Sequence, residues 1–441
     1  MNLSISILFI ILIGLVLNFI NYSYFLTYLS IIWYIASILI LYLAIKLTIK
    51  YKFKQLNINE IIKSIKSKSN NNVSPLSALA ISLAAKIGVG SLSGVALAIY
   101  FGGIGTIIWI IIISLLSSIN TYIECILGIK YREKINNILL GGPSYYIKKC
   151  LNNNTLSILY SILIIISYSI LFLSIQSNTI ISITNYFNLP NKIIIMILCI
   201  TISLIIIKGL NSITKVNSIL VPIMLLVYFI IGIIVVFNNY QIIPNIIVKS
   251  IKEAFKLKSI IPVFLIGMQR AIFITESSLG TSAIASSVCD NDPNKQGLLE
   301  ILGIYLTIFV IVVTTYLIIV TSDYQLINFK NINGIEIIMY AFNYHFGNIG
   351  SLLLSVITIM FALSTIISSY YFGESNLLIL TTNKSINYLY KIIFILVIII
   401  SCYIKPITLW NLTDFFVAIL LIINTYSIIK ITRNIITKVK Y

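Results

Sequence analysis

Apolar runs long enough to cross about 30 Å of hydrocarbon recur along the chain, at residues 3–20, 28–46, 76–99, 103–129, 156–184, 192–208, 213–237, 259–286, 297–321, 347–372, 388–403 and 408–428. Polar connections rich in Asn and Lys separate them. Each run predicts an α-helix, because a backbone in lipid can satisfy its N–H and C=O groups only inside a helix or a closed barrel. Residues 3–20 lack a basic leader and a small-residue cleavage site, which predicts a retained helix, with a cleaved signal peptide as the alternative.

Two of the runs are interrupted. Residues 76–99 contain Ile87-Gly88-Val89-Gly90-Ser91-Leu92-Ser93-Gly94, too flexible and polar for a comfortable helix interior in lipid. Residues 259–286 hold Arg270, Glu276, a Ser277-Ser278 pair and Gly280 in their middle. Helices break at membrane depth only where protein or a wet cavity takes up the freed backbone groups, and two breaks in matching places mark the centre of a carrier built from internal repeats. The first break opens five runs ending near 237 and the second opens five ending near 428. An odd number of spans per set makes the repeats inverted.

Composition sharpens this picture. The chain is 59% hydrophobic and 10% charged, against roughly 45–50% and about 25% in soluble domains, more apolar surface than one soluble core can hide. The net charge of +18 therefore concerns loop placement rather than nucleic acid. Clusters at Lys46–Lys68, Lys130–Lys149 and Lys430–Lys440 predict that 47–75, 130–155, 209–212, 287–296, 373–387 and both termini are cytoplasmic, with 322–346 outside. The exception is 238–258, basic yet external by parity. Five scattered cysteines and a single histidine, His345, predict neither a disulfide framework nor a zinc site. With no GxxxxGK[ST] and no nucleophile–base spacing, no enzymatic chemistry and no cofactor are expected.

The residues resemble the alanine or glycine:cation symporter family, bacterial and archaeal carriers, over about 46–430. The resemblance rests on Gly88 to Ala96, on Gly102-Gly103-Ile104-Gly105 with Trp109, on Gly141 to Ile147, and on Gln176-Ser177-Asn178. In the second half it rests on Val221-Pro222-Ile223-Met224, Arg270 to Gly280, Gln296-Gly297, and Phe361 to Thr365 with Gly373-Glu374. It implies an all-α polytopic membrane protein with the five-plus-five inverted repeat of sodium-coupled amino-acid transporters and one or two extra N-terminal spans. The expected organisation is 1–75 as extra helices and a basic connection, 76–237 as the first repeat, 238–258 as an external link, 259–428 as the second repeat and 429–441 as a tail. The resemblance also implies sodium-coupled import of a small neutral amino acid across a prokaryotic cell membrane by a monomer. Proton coupling and a transport-inactive receptor or scaffold are the alternatives.

The expected substrate site is the first break, where half-helix amides can hold a carboxylate: Gly90, Ser91, Leu92, Ser93 and Gly94, with Gln176, Phe273, Thr275, Ser278 and Ser369 around them. The expected sodium site, implied by the resemblance, joins carbonyls of Ile87 and Gly90 to the hydroxyls of Ser364 and Thr365. Close packing of small residues and helix-internal hydroxyl bonds are the competing explanations. Lys86, Glu124, Arg270, Glu276 and Glu374 are charges in or near spans, expected as gates or structural pairs facing the interior; Arg270 and Glu276, six apart, cannot pair on an unbroken helix. The chain departs from the family pattern at Val89, Ser91, Thr275, Ser277, Ser278 and Ser369. Serines at 278, 368 and 369 predict unpaired hydroxyls, hence a substrate larger or more polar than alanine, such as serine, threonine or glutamine.

Overall fold

The computed structural model describes residues 22–69, 73–135, 138–323 and 334–438, with side chains as far as residue 433, and four isolated positions before residue 22. The predicted run 3–20 thus lies largely outside the described residues. Among the described residues nine helices are long and apolar enough to span a membrane, and two shorter apolar helices accompany them. These coincide with the other predicted runs.

The first span is α1 (Tyr22–Lys50). A short α2 (Ile58–Ser64) follows, and then the broken span, α3 (Pro75–Lys86) and α4 (Val89–Gly102). Its start obeys simple capping: the Ser74 hydroxyl accepts from the Ser77 amide, with Pro75 in the first turn. Next come α5 (Thr106–Lys130), a two-stranded ribbon of β1 (Glu133–Ile135) and β2 (Ile138–Leu140), and α6 (Pro143–Leu151). The first set closes with α7 (Asn154–Tyr186), α8 (Asn191–Ile207) and α9 (Leu210–Asn239). An amphipathic α10 (Ile243–Ala254) leads to the second broken span, α11 (Ile260–Thr275) and α12 (Thr281–Ser286). Then follow α13 (Pro293–Val320), α14 (Gly334–Phe346), α15 (Asn348–Leu380), α16 (Lys384–Ser401) and α17 (Pro406–Lys438).

Span lengths recur between the two sets. The unbroken spans of the first set measure 25, 33, 17 and 30 residues, and those of the second 28, 33, 18 and 33. Each set opens on a broken helix, the first split into 12 and 14 residues and the second into 16 and 6. One end of the bundle gathers the basic connections, where Arg132 pairs with Asp290 and donates to the Cys289 carbonyl, Asn291 donates to Ser67, and Tyr145 donates to the Ser375 carbonyl. α3 begins at this basic end, whereas α11 begins at the opposite one. The two breaks are therefore reached from opposite directions. The ribbon, α2, α6, α10 and α14 have no counterpart in the predicted runs, being too short or too amphipathic to register as spans.

Candidate functional site

The first break is two residues wide. Ile87 ends α3 and Gly88, in extended conformation, precedes α4, so the interruption expected to run to Gly94 stops at Gly88. Leu92, Ser93 and Gly94 lie within α4, where their amides belong to the helix ladder; only the first-turn amides can face a ligand. Two of those are already engaged, the Val89 amide by the Gln176 side-chain oxygen at 3.0 Å and the Ser91 amide by the Gly88 carbonyl at 3.0 Å. The Ser91 hydroxyl turns back to that same carbonyl at 2.7 Å.

Across the break stands α15. The Gly88 amide bonds the Ala85 carbonyl rather than that of Ala84, and the Ala84 carbonyl instead accepts from the Thr365 hydroxyl at 2.8 Å. A methyl group on Gly88 would lie 2.4 Å from that hydroxyl oxygen, so the close approach requires glycine there. Thr365 thus meets the break. Ser364 does not visibly join it: its hydroxyl bonds the Phe361 carbonyl of its own helix at 3.0 Å.

On the side away from the basic end, aromatic rings cover α4. The Phe273 ring lies on Gly90, where a methyl group would come within 2.4 Å of it. It stacks on Phe172 at 4.9 Å and tilts against Trp410 at 5.0 Å. Phe172 in turn stacks on Tyr168 at 4.6 Å, and Tyr168 meets Phe372 edge-on. Tyr168 and Phe172, four residues apart, share a face of α7, and both lie in a π-turn over Ser167–Phe172, a distortion that tends to accompany functional sites. Arg270 closes the column, its guanidinium over Phe273 and Trp410 at 5.5 and 5.2 Å and paired with Asp414. Gly94 lies beneath the arginine stem.

The second break holds Glu276 and Ser278 at φ +51° and +65°, left-handed conformations that cost non-glycine residues about 1–3 kcal/mol each. Neighbouring helices brace the loop. The Ser278 carbonyl accepts from Asn424 at 2.9 Å, the Ser278 hydroxyl from Asn120 at 3.1 Å, and the Leu279 carbonyl from the Tyr160 hydroxyl at 2.7 Å. Asn424 also donates to Glu124 and accepts from Tyr146. Thr275 bonds its own helix at the Ala271 carbonyl.

Toward the basic end, one ammonium ties both broken helices to α13. Lys86 is fully buried and donates to Glu300 at 2.7 Å, to Ser282 at 2.8 Å and to Ser82 at 2.5 Å. Burying a charge is tolerable only when it is paired and hydrogen-bonded in this way. Glu374 accepts from Tyr370 at 2.7 Å near the same end.

The structure therefore brings Gly90, Gln176, Phe273 and Thr365 around the first break, with Ile87 at its edge. It places Thr275, Ser364 and Glu374 in contacts of their own helices. The expectation of unpaired serines is corrected at two positions: Ser278 is bonded as above, and Ser368 donates to the Ile81 carbonyl and accepts from Asn217. Of the hydroxyls expected at the substrate site, those of Ser93 and Ser369 are buried without a hydrogen-bond partner. Ala84, Glu300 and Asp414 were not among the expected site residues. The two carboxylates carried the signal already used for Glu276, an acid inside an apolar run, whereas Ala84 acts only through its carbonyl and carries none.

The sodium:alanine symporter family matches residues 18–441. The chain is 30% identical over 415 residues to the probable sodium/glutamine symporter GlnT of Bacillus subtilis, covering 91% of this chain and 86% of that protein. It is 28% identical to the amino-acid carrier protein AlsT of the same organism, covering 92% and 89%. To the sodium/proton-dependent alanine carrier protein of Bacillus sp. strain PS3 it is 27% identical, covering 83% and 87%. With its membrane-spanning helices, its two broken helices and this match over nearly its whole length, the chain is a multi-pass membrane protein that belongs to the sodium:alanine symporter family.

Proposed function

We propose that this protein imports a small neutral amino acid together with sodium. The observation that carries the reading is the meeting of Thr365 with the Ala84 carbonyl at the Gly88 break. A hydroxyl and helix-end carbonyls are the neutral oxygens that suit a desolvated monovalent cation, and the adjacent first turn of α4 presents amides to a carboxylate. Gln176, now on the Val89 amide, is the group that a substrate carboxylate would displace or share. Sodium at this position favours the state open to the outside, and substrate permits closure over Phe273 and Trp410. A cavity of about 520 Å³ between α7 and α14, lined by Asn185, Tyr186, Glu336 and Asn343, is where entry from the outside would begin.

Relatives named for glutamine and for alanine bracket the substrate class. With Ser278 and Ser368 already bonded, Ser369 alone of the three serines argues for a polar side chain. Its hydroxyl left unpaired against a methyl group would cost about 1–3 kcal/mol, so serine, threonine or glutamine is favoured over alanine. The test is uptake by purified protein in vesicles, with and without an inward sodium gradient, followed by competition among glycine, alanine, serine, threonine, glutamine and leucine. Sodium-driven uptake is expected, with a polar amino acid competing best. Equal uptake without sodium removes the coupling, and tenfold better competition by alanine or glycine removes Ser369 from the side-chain pocket.

A further inference from the structure

Formal charges in the middle of the bundle do not balance. Lys86 is taken by Glu300 and Arg270 by Asp414, and Glu276, fully buried at the second break, has no cation within pairing distance among the described residues. One of its oxygens accepts from the Thr281 hydroxyl at 2.7 Å, while the other completes no hydrogen bond. Beside it stands the Tyr168 hydroxyl, equally buried and equally without a completed bond. A carboxylate left charged and unpaired at membrane depth is strongly unfavourable, so it must meet a cation of some kind.

We propose that Glu276 is a proton-carrying site, loaded and emptied once per transport cycle and separate from the oxygens at the Gly88 break. This extends the symport reading above and rests on it. A proton is the cation that needs no room in a column of stacked rings and no further oxygen ligands. The phenol suits both states, donating to the carboxylate when Glu276 is ionised and accepting from the carboxylic acid when it is protonated. Other elements present Lys86 of α3 and Glu300 of α13, already joined to each other, and Thr281 of α12. Glu124 of α5, one oxygen of which accepts from Asn424 of α17, is a second buried acid without a cation among the described residues, but no phenol with an open hydroxyl stands beside it there. None of these neutralises Glu276 while the break is closed. Ser282, next to Thr281, belongs to the Lys86–Glu300 cluster, which continues through Ser286 toward the basic end. Polar groups therefore lead from Glu276 to the side on which a proton would be released.

Full-length protein reconstituted in liposomes that enclose a pH-sensitive dye provides the test, with labelled alanine and glutamine offered under an inward sodium gradient. The lumen is expected to acidify as substrate enters. Acidification should fall at least tenfold in Glu276→Gln and return in Glu276→Asp. Substrate entry without acidification, or undiminished acidification in Glu276→Gln, overturns the proton site and leaves sodium symport standing. Infrared difference spectra between acid and alkaline pH test the site without transport. A protonated-carboxyl band that vanishes in Glu276→Gln supports it, and an unchanged band overturns it. If Glu276→Gln does not fold, Glu276→Asp serves the same purpose, since a band from this site must move when its carboxyl is drawn back by one methylene. Absence of all uptake with the band intact refutes symport but not the titrating carboxyl.

Discussion

Thr365 shows how much depends on one hydroxyl. Its hydroxyl lies 2.8 Å from the carbonyls of both Ala84 and Phe361 and shares its one proton between them, so it links α15 to the last turn of α3 where the helix ladder fails. Thr365→Val keeps the shape and removes the oxygen. The expected outcome is a rise of about tenfold in the sodium concentration for half-maximal uptake, the equivalent of about 1.4 kcal/mol, with substrate affinity at saturating sodium changed far less. Unaltered sodium dependence would remove Thr365 from the ion site. That Thr365 belongs near the first break was expected from the resemblance of Phe361 to Thr365 to the family motif. That Thr365 reaches across while Ser364 bonds its own helix was not legible, since the two are adjacent in sequence and only the packing of α15 on α3 distinguishes their directions.

At the scale of elements, α14 is the component with most to say about access from outside. It sits in the connection 322–346, expected outside from the parity of the spans, and it packs over α4. Gly334, its first residue, lies so close that a methyl group there would come within 2.5 Å of the Ser93 carbonyl oxygen. That contact is backbone and cannot swing away. Gly334→Ala is expected to push α14 off α4 and cost about 1–3 kcal/mol, as overpacking generally does. A lower midpoint of thermal unfolding in detergent would show this, together with faster modification of a cysteine placed at Ser93. If neither changes, α14 does not close over the site. Where the first break ends belongs to the same scale. Three glycines in seven residues predicted a long unwound stretch, but burial of α4 on every side rewards each helical hydrogen bond that can be made in lipid, and the break shrinks to Ile87 and Gly88.

For the whole molecule, sidedness is the testable property. In a background with the five native cysteines replaced by serine, a cysteine at Asn331 should react with an impermeant thiol reagent in intact cells, and one at Lys295, exposed at the basic end, should not. The reverse pattern would invert the orientation. The basic stretch 238–258, which fits the charge rule poorly, has a physical explanation in α10. Exposed Ile247, Val248 and Ile251 share this helix with exposed Lys249 and Lys252, the arrangement of a helix lying in a membrane interface, with lysines reaching to headgroups. What the sequence by itself determined is the spans from residue 22 onward, their break points to within a few residues, and the family, because the need to satisfy every backbone group in hydrocarbon leaves a long apolar run almost no alternative to a helix. Only the tertiary structure decided the partners: Glu300 for Lys86, Asp414 for Arg270, Ala84 for Thr365, and for Glu276 the Thr281 hydroxyl with no cation among the described residues. Those choices depend on which helices lie side by side and how each is rotated, and residues 144 or 281 positions apart carry no local pattern that encodes it.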